Sequence, residues 1–520
     1  MRAMNMKKAI SKTQLLLATV VALTLLLTPA AFAAAPGITG PTFNLTARPA
    51  YISQPDGSAV YSWGYGCSVA PSGFAPALTG ATCPDMQVPG PTLIVTEGQT
   101  VVVNLTNNLP NAAGNTSILF PGFQVTATGG VNGLLTREAG RAPAVNTVQY
   151  TFVASPPGTH AYYSGTQGDL QVEMGLYGAI IVLPASTPAV CDSGVHASNA
   201  TARSHWGETD FRLAHAAYNH AGACYDREYL FQYSEMDPRI HRQAEEQSTR
   251  TCTNCMNVAT EPYLPAYFMI NGRSMPDLMD PNYAQEYPHQ PYNGNPHMHP
   301  GELTLLRIIG TGRWQHPFHE HGNHVRVLAR DGNLILSATN ANDLAGPLLF
   351  TTTTTPGLTM DGIYYWTGKG LNWDPYGHNT ASGSTLPCTP DANGYNTSAP
   401  NAINYFEWCQ DHNKPLQTHP FGDVAGGGPA TLPDPNIFAN GPWFGGSPYL
   451  GPDATVRAVG NTGTTPPSGT VANAPDSEAG FAFMWHSHNE REITTNNIFP
   501  GGMLMMMLVD SREFVIDESN

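Results

Sequence analysis

Apolar and polar residues alternate along short runs, and turn-forming residues separate the runs. In "PTLIVTEGQTVVVNLTNNLP" (91–110) the alternation is broken once, by Glu-Gly, which predicts strand, turn, strand. "TVQYTFVASPPGTHAYY" (147–163) alternates and then meets a Pro-Pro-Gly turn, and "GLYGAIIVLP" (175–184) reads as a buried strand. A second β region begins at "YFMINGRSMPD" (267–277) and continues through 301–312, 324–332 and 361–366, then through 479–485 and 503–510. Between the two, residues 186–261 read as a linker, with one further strand at "DREYLFQYSEMD" (226–237). Residues 367–475 are rich in Gly, Pro, Asn and Thr with little periodicity, and read as a large insertion. Its Cys388 and Cys409 favour a folded segment.

The expected organisation is therefore all-β, with β regions at 40–185 and 262–515. No internal repeat of fixed period is present. A chain of 520 residues is too long for one ordinary core. Charged residues make up only 12%, against 52 glycines and 45 prolines, which suits strands and turns more than helices. The formal charge of −16 disfavours nucleic acid and anionic membranes and attracts cations.

Arg2, Lys7, Lys8 and Lys12 precede an apolar run from Leu15 to Leu27, then Ala31-Phe32-Ala33. This is the layout of a secretory signal over 1–33, and it implies a periplasmic or secreted protein. No later stretch is apolar enough to span a membrane. Eight cysteines in an exported chain imply disulfides, with nearest-neighbour pairing 67–83, 191–224, 252–255 and 388–409. Cys252-x-x-Cys255 also fits a redox or zinc pair.

Three stretches carry candidate chemistry: "VPGPTLIVTEGQTVVVNLTNNL" (88–109), "HPFHEHG" (316–322) and "FMWHSHNEREITTNNIFPGGM" (483–503). In order and spacing they resemble the multicopper oxidase family. The resemblance covers roughly 40–185 and 262–510. It implies two cupredoxin-like Greek-key β-sandwiches and copper as cofactor. In that family a type 1 copper takes electrons through a cysteine thiolate, two imidazoles and usually a methionine. A trinuclear cluster held by eight histidines reduces dioxygen.

The ligand positions are only partly kept. In the first sandwich Leu119, Pro121, Tyr163 and Gly165 stand where four cluster histidines belong, and His160 lies three residues early. In the second, the cluster positions hold His319, His321, His486 and His488. On the type 1 side His316 and Met503 match, but Ser487 replaces the thiolate and Glu492 the second imidazole. Residues i and i+2 on a strand share a face, so the two His-x-His pairs can meet at one point while His316 falls on the other side with Ser487.

His319, His321, His486, His488 and His316 are thus the candidate metal ligands, with copper first and zinc or iron also compatible with imidazole. Each has a plainer reading. The paired histidines could be relics hydrogen-bonded in a core, although burying four unsatisfied imidazoles is costly. His316 with Glu492 could be an ordinary ion pair, or a non-blue metal site with Met503. His297-Met298-His299 could be loop or a surface copper-capture site, and Met503, Met505, Met506 and Met507 core packing or a Cu(I) relay. Glu320 should point away from its flanking histidines, where it could support them by hydrogen bonding.

Three functions remain open. One is an oxidoreductase with a reduced metal set, acting on a small reducing substrate or a redox protein. Another is a non-catalytic copper-binding or delivery protein. The third is a cupredoxin scaffold for interaction.

Overall fold

The computed structural model describes residues 35–77, 80–141, 145–369, 389–410 and 480–516, together with the short strands His378–Asn379, Ser384–Thr385, Gly446–Tyr449, Ala458–Val459 and Val471–Ala472. The signal expected at 1–33 and much of the insertion expected at 367–475 lie outside the described residues.

The alternation that predicted strands also sorts their faces. Thr100–Asn107 buries every second residue, as does Thr147–Val153, and the two pair antiparallel. They lie in a five-stranded sheet with Ala59–Cys67, Thr42–Ser53 and Thr126–Gly129. The other sheet runs Gly158–Tyr163, Tyr177–Leu183, Leu93–Thr96, Gly37–Thr39, Phe74–Ala75. Each turn read from the sequence therefore joins the two sheets and makes no hairpin. The chain crosses at Glu97-Gly98, where Gly98 adopts a φ of 84° that a side chain would strain. Trp63, Val103, Tyr150, Phe152 and Ile180 fill the space between the sheets.

The second sandwich has one sheet ordered Tyr267–Ile270, Arg227–Met236, Leu303–Gly310, Thr359–Tyr365, Val325–Arg330, Asn333–Leu334. The other runs His297–Met298, Leu504–Asp510, Gly480–Ser487, His316–Glu320, Thr351–Thr354. Mostly strand, with mixed parallel and antiparallel pairing in both halves, the chain consists of two cupredoxin-like β-sandwiches.

The segment between the β regions is more structured than its composition suggests. The expected strand spans Arg227–Met236 and is buried along its whole length inside the second sandwich. Helix Pro238–Ser248 follows, capped by the Asp237 side chain on Arg239 N–H. Its Ile240 and Ala244 pack into the core of the first sandwich. One segment thus supplies both halves. Asp361 adds a polar lock, accepting from Thr159 Oγ1 (2.6 Å) and Tyr218 OH (2.5 Å).

Disulfides join Cys67–Cys83, Cys191–Cys224 and Cys252–Cys255, which settles the last pair as a disulfide. Cys409 is also disulfide-bonded, while Cys388 lies outside the described residues. Among the described residues no helix is long and apolar enough to cross a membrane.

Candidate metal centre

Strand His316–Glu320 pairs antiparallel with Gly480–Ser487, and the register sets His319 opposite His486. Because side chains alternate, His321 and His488 join the same face just beyond the strand ends. The rings converge: centroids are 4.7 Å apart for His319–His321, 5.1 Å for His319–His488 and for His321–His486, and 5.7 Å for His319–His486. His486 Nε2 stands 3.2 Å from His321 Nε2.

Second contacts orient these rings. His319 Nδ1 lies 2.8 Å from Thr351 Oγ1, and His486 Nδ1 donates to the Ser487 carbonyl at 2.8 Å, which turns the Nε2 lone pair of His486 towards His321. Trp485 Nε1 and Tyr364 OH both donate to the His321 carbonyl and hold the end of the strand. Burial, and then the neighbouring imidazoles, push the His319 ring down to about 4. Burial also lowers His486. Neutral imidazole is the ligand form, so His319 and His486 can meet a metal at neutral pH without prior loss of protons.

The donor set fits copper. A tetrahedral centre with metal–nitrogen distances of about 2.0–2.1 Å sets its nitrogens roughly 3.3 Å apart, close to the His321–His486 spacing. As the side chains stand, no group of three or more His, Cys, Asp or Glu among the described residues is already set to hold an ion.

His316 lies on the opposite face and is completely buried. Its Nε2 meets Glu235 Oε2 and its Nδ1 meets Glu492 Oε2, both at 2.9 Å. Burial opposes charge on the ring, but hydrogen bonds to Glu235 and Glu492 outweigh it and raise His316 to about 9. Ser487 Oγ donates to Glu492 Oε2 at 2.5 Å and Asn489 Nδ2 to Glu492 Oε1 at 2.9 Å. Glu235 Oε1 accepts from the Arg313 and Trp314 amides. Both ring nitrogens of His316 are therefore engaged by carboxyl groups. The position resembling a type 1 copper is occupied by an ion pair, the plainer of the two readings of His316 with Glu492.

Glu235 had no signal in the sequence. It lies 81 residues before His316, in the strand that the linker contributes. Met503, Met505 and Met507 are buried in the core of the second sandwich, where packing accounts for them. His297 and His299 are buried as well, which rules out a surface capture site. His297 bonds Asp510 (2.7 Å), and His299 bonds Glu208 (2.8 Å). Glu320 points into the core, accepts from Thr352 Oγ1 (2.5 Å) and is raised by burial to about 8. It contacts no ring of the cluster through a hydrogen bond; only its neighbours' backbone links them.

In the first sandwich, Leu119 and Tyr163 pair through their backbones (Leu119 N to Tyr163 O, 2.7 Å). A side chain at Gly165 would meet Leu119 Cγ at 2.7 Å. The leucine thus fills the room that a ligand at 165 would need, so these replacements act as a set. His160 is buried against Pro156 O and the Phe123 ring.

A family profile described as multicopper oxidase matches residues 78–187. Over 101 residues the chain is 38% identical to "Multicopper oxidase MCE" of Talaromyces pinophilus, a stretch covering 19% of this chain and 15% of that protein. Among solved structures, the multicopper oxidase mgLAC is similar over 90% of this chain and 85% of its own, with 15% identity and a TM-score of 0.44. The blue copper oxidase of Nitrosomonas europaea has the same coverage and TM-score at 14% identity. Residues 78–187 are by sequence a multicopper oxidase domain.

Proposed function

We propose that this is an exported copper-binding protein that holds one metal ion on His319, His321, His486 and His488 and has no blue type 1 centre. The observation that carries this reading is the convergence of four imidazoles on one face of two paired strands, with His319 and His486 both biased to the neutral form. The family resemblance makes copper the expected ion, and rotation of the remaining rings closes the shell around it. His316 stands apart, committed to Glu235 and Glu492.

Copper on imidazoles alone would supply one-electron chemistry or simple storage, without the thiolate that relays electrons in a blue centre. A four-imidazole shell favours holding and delivery over turnover, because it leaves no open position. Oxidoreductase activity is the second reading, and one feature favours it: His488 is exposed and His486 half-buried, so one side of the site can be reached from solvent.

Copper stoichiometry and the optical spectrum of the loaded protein test the proposal. The expected result is one copper per chain with no intense absorption near ~600 nm, where thiolate–copper charge transfer falls. A strong band there, or copper retained after both His321→Ala and His486→Ala, would overturn it.

A further inference from the structure

One cavity of the molecule lies away from the histidines. It encloses about 380 Å³ at the seam between the sandwiches, within the size range of small-molecule sites. Leu119, Tyr163 and Val172 line it from the first half, and Pro356 and the Gly310–Arg313 backbone from the second. None of the four clustered histidines reaches it.

The walls specify the ligand. Leu119 and Tyr163 are two of the residues standing where a metal-binding relative would carry histidine, so the space is apolar and aromatic instead of basic. Its one cation is already committed: Arg313 donates to the Thr260 carbonyl and to Glu261, and lies 4.1 Å from the Tyr263 ring centre. Behind the Gly310–Arg313 wall sits Glu235, whose carboxyl would be 2.1 Å from a Cβ at Gly312. A negative ligand would meet no free positive charge and a carboxyl group close behind. The polar side chains Ser164 and Thr311 are turned inward, onto Gln171 and the Tyr233 carbonyl. Tyr163, only partly buried, keeps its hydroxyl available as a polar handle. At the mouth, the hairpin Val131–Asn132/Arg137–Glu138 presents Leu135, 64% exposed. An exposed leucine at the rim of an apolar cavity marks a surface made to be covered.

From these features we infer that the cavity binds a neutral aromatic molecule of one or two rings bearing a hydroxyl that pairs with Tyr163. The inference does not rest on the copper site.

The test is a calorimetric titration of the full chain with 1-naphthol, naphthalene and 1-naphthoate, in copper-loaded and in chelator-treated protein. One 1-naphthol should bind per chain, equally with and without copper, and 1-naphthoate about tenfold or more weakly, since its charge would be buried unpaired. Tyr163→Phe should weaken 1-naphthol by up to about tenfold and leave naphthalene unchanged. A side chain at Gly168 meets nothing within 4 Å, so Gly168→Trp should fold and block the mouth. Leu135→Asp, at an exposed tip, is the second variant and should weaken binding about tenfold. Failure of 1-naphthol to bind, undiminished binding in both Gly168→Trp and Leu135→Asp, or loss of binding on chelation would overturn the assignment.

Discussion

The two faces of one strand pair treat histidine in opposite ways. On the outer face His319, His321, His486 and His488 gather around one another, and burial together with neighbouring rings keeps His319 neutral. On the inner face His316, three residues away from His319, is clamped between two carboxyl groups and held charged up to about pH 9. Residue type is the same on the two sides, and His316 and His319 are both buried. What differs is the charge of the partners: His319 beside other imidazoles is held neutral, and His316 between carboxyl groups is held charged.

Removing the cation should have the largest effect. His316→Ala leaves Glu235 and Glu492 facing each other in the core, at a cost of about 3–5 kcal/mol. Denaturant unfolding of the metal-free protein checks this, and copper stoichiometry should stay unchanged. Loss of copper together with unchanged stability would invert the comparison.

The outer face should show the reverse. His321→Ala and His486→Ala should barely change the metal-free protein but lose the copper-induced gain, about 4 kcal/mol at a thousandfold excess over Kd. Melting temperature with and without copper reads the difference.

A pH scan sharpens the contrast. His316 is raised to about 9, and Glu173 and Glu320 are each raised by burial to about 8. All three bind protons more tightly folded than unfolded, so their contributions are lost as pH rises towards these values. The metal-free protein should therefore melt lower at pH 9 than at pH 6.5. Glu320→Gln should flatten part of that slope, and His321→Ala none of it.

The smallest effect is expected at Ser487. Ser487→Cys exchanges a strong donor to Glu492 for a weak one, at a cost of about 1 kcal/mol. It should not create oxygen reduction with a phenolic donor, because His316 stays committed to its carboxyl partners and Leu119, Pro121, Tyr163 and Gly165 offer no imidazole. Laccase-like oxygen uptake by this variant would show that ligands come from elsewhere.

Much of the fold was legible because strand periodicity is local. Thr100–Asn107, Thr147–Val153, Tyr177–Leu183 and the strands of the second half fall where alternation or an apolar run set them. The pairing of those strands was not legible. The turn at Glu97-Gly98 was legible as a turn, but not that it joins two sheets, because that depends on partners distant in sequence. The segment 186–261 looked like a linker because its strand is a continuous run of mixed residues. Glu228 and Glu235 can be buried there only because Arg307 and His316 arrive from elsewhere to meet them.

The sequence by itself determined which residues share a face: period-two geometry put both His-x-His pairs on one side and His316 on the other before any partner was known. It also determined that Leu119, Pro121, Tyr163 and Gly165 stand at the positions where the family resemblance would set histidines. Tertiary structure alone decided what each face does. Glu235 reaches His316 across 81 residues, and the space at Leu119 and Tyr163 becomes a cavity only when Pro356 and the Gly310–Arg313 backbone close it from the other sandwich. Charge pairing and enclosure depend on distance in space, and no local pattern of residues records that distance.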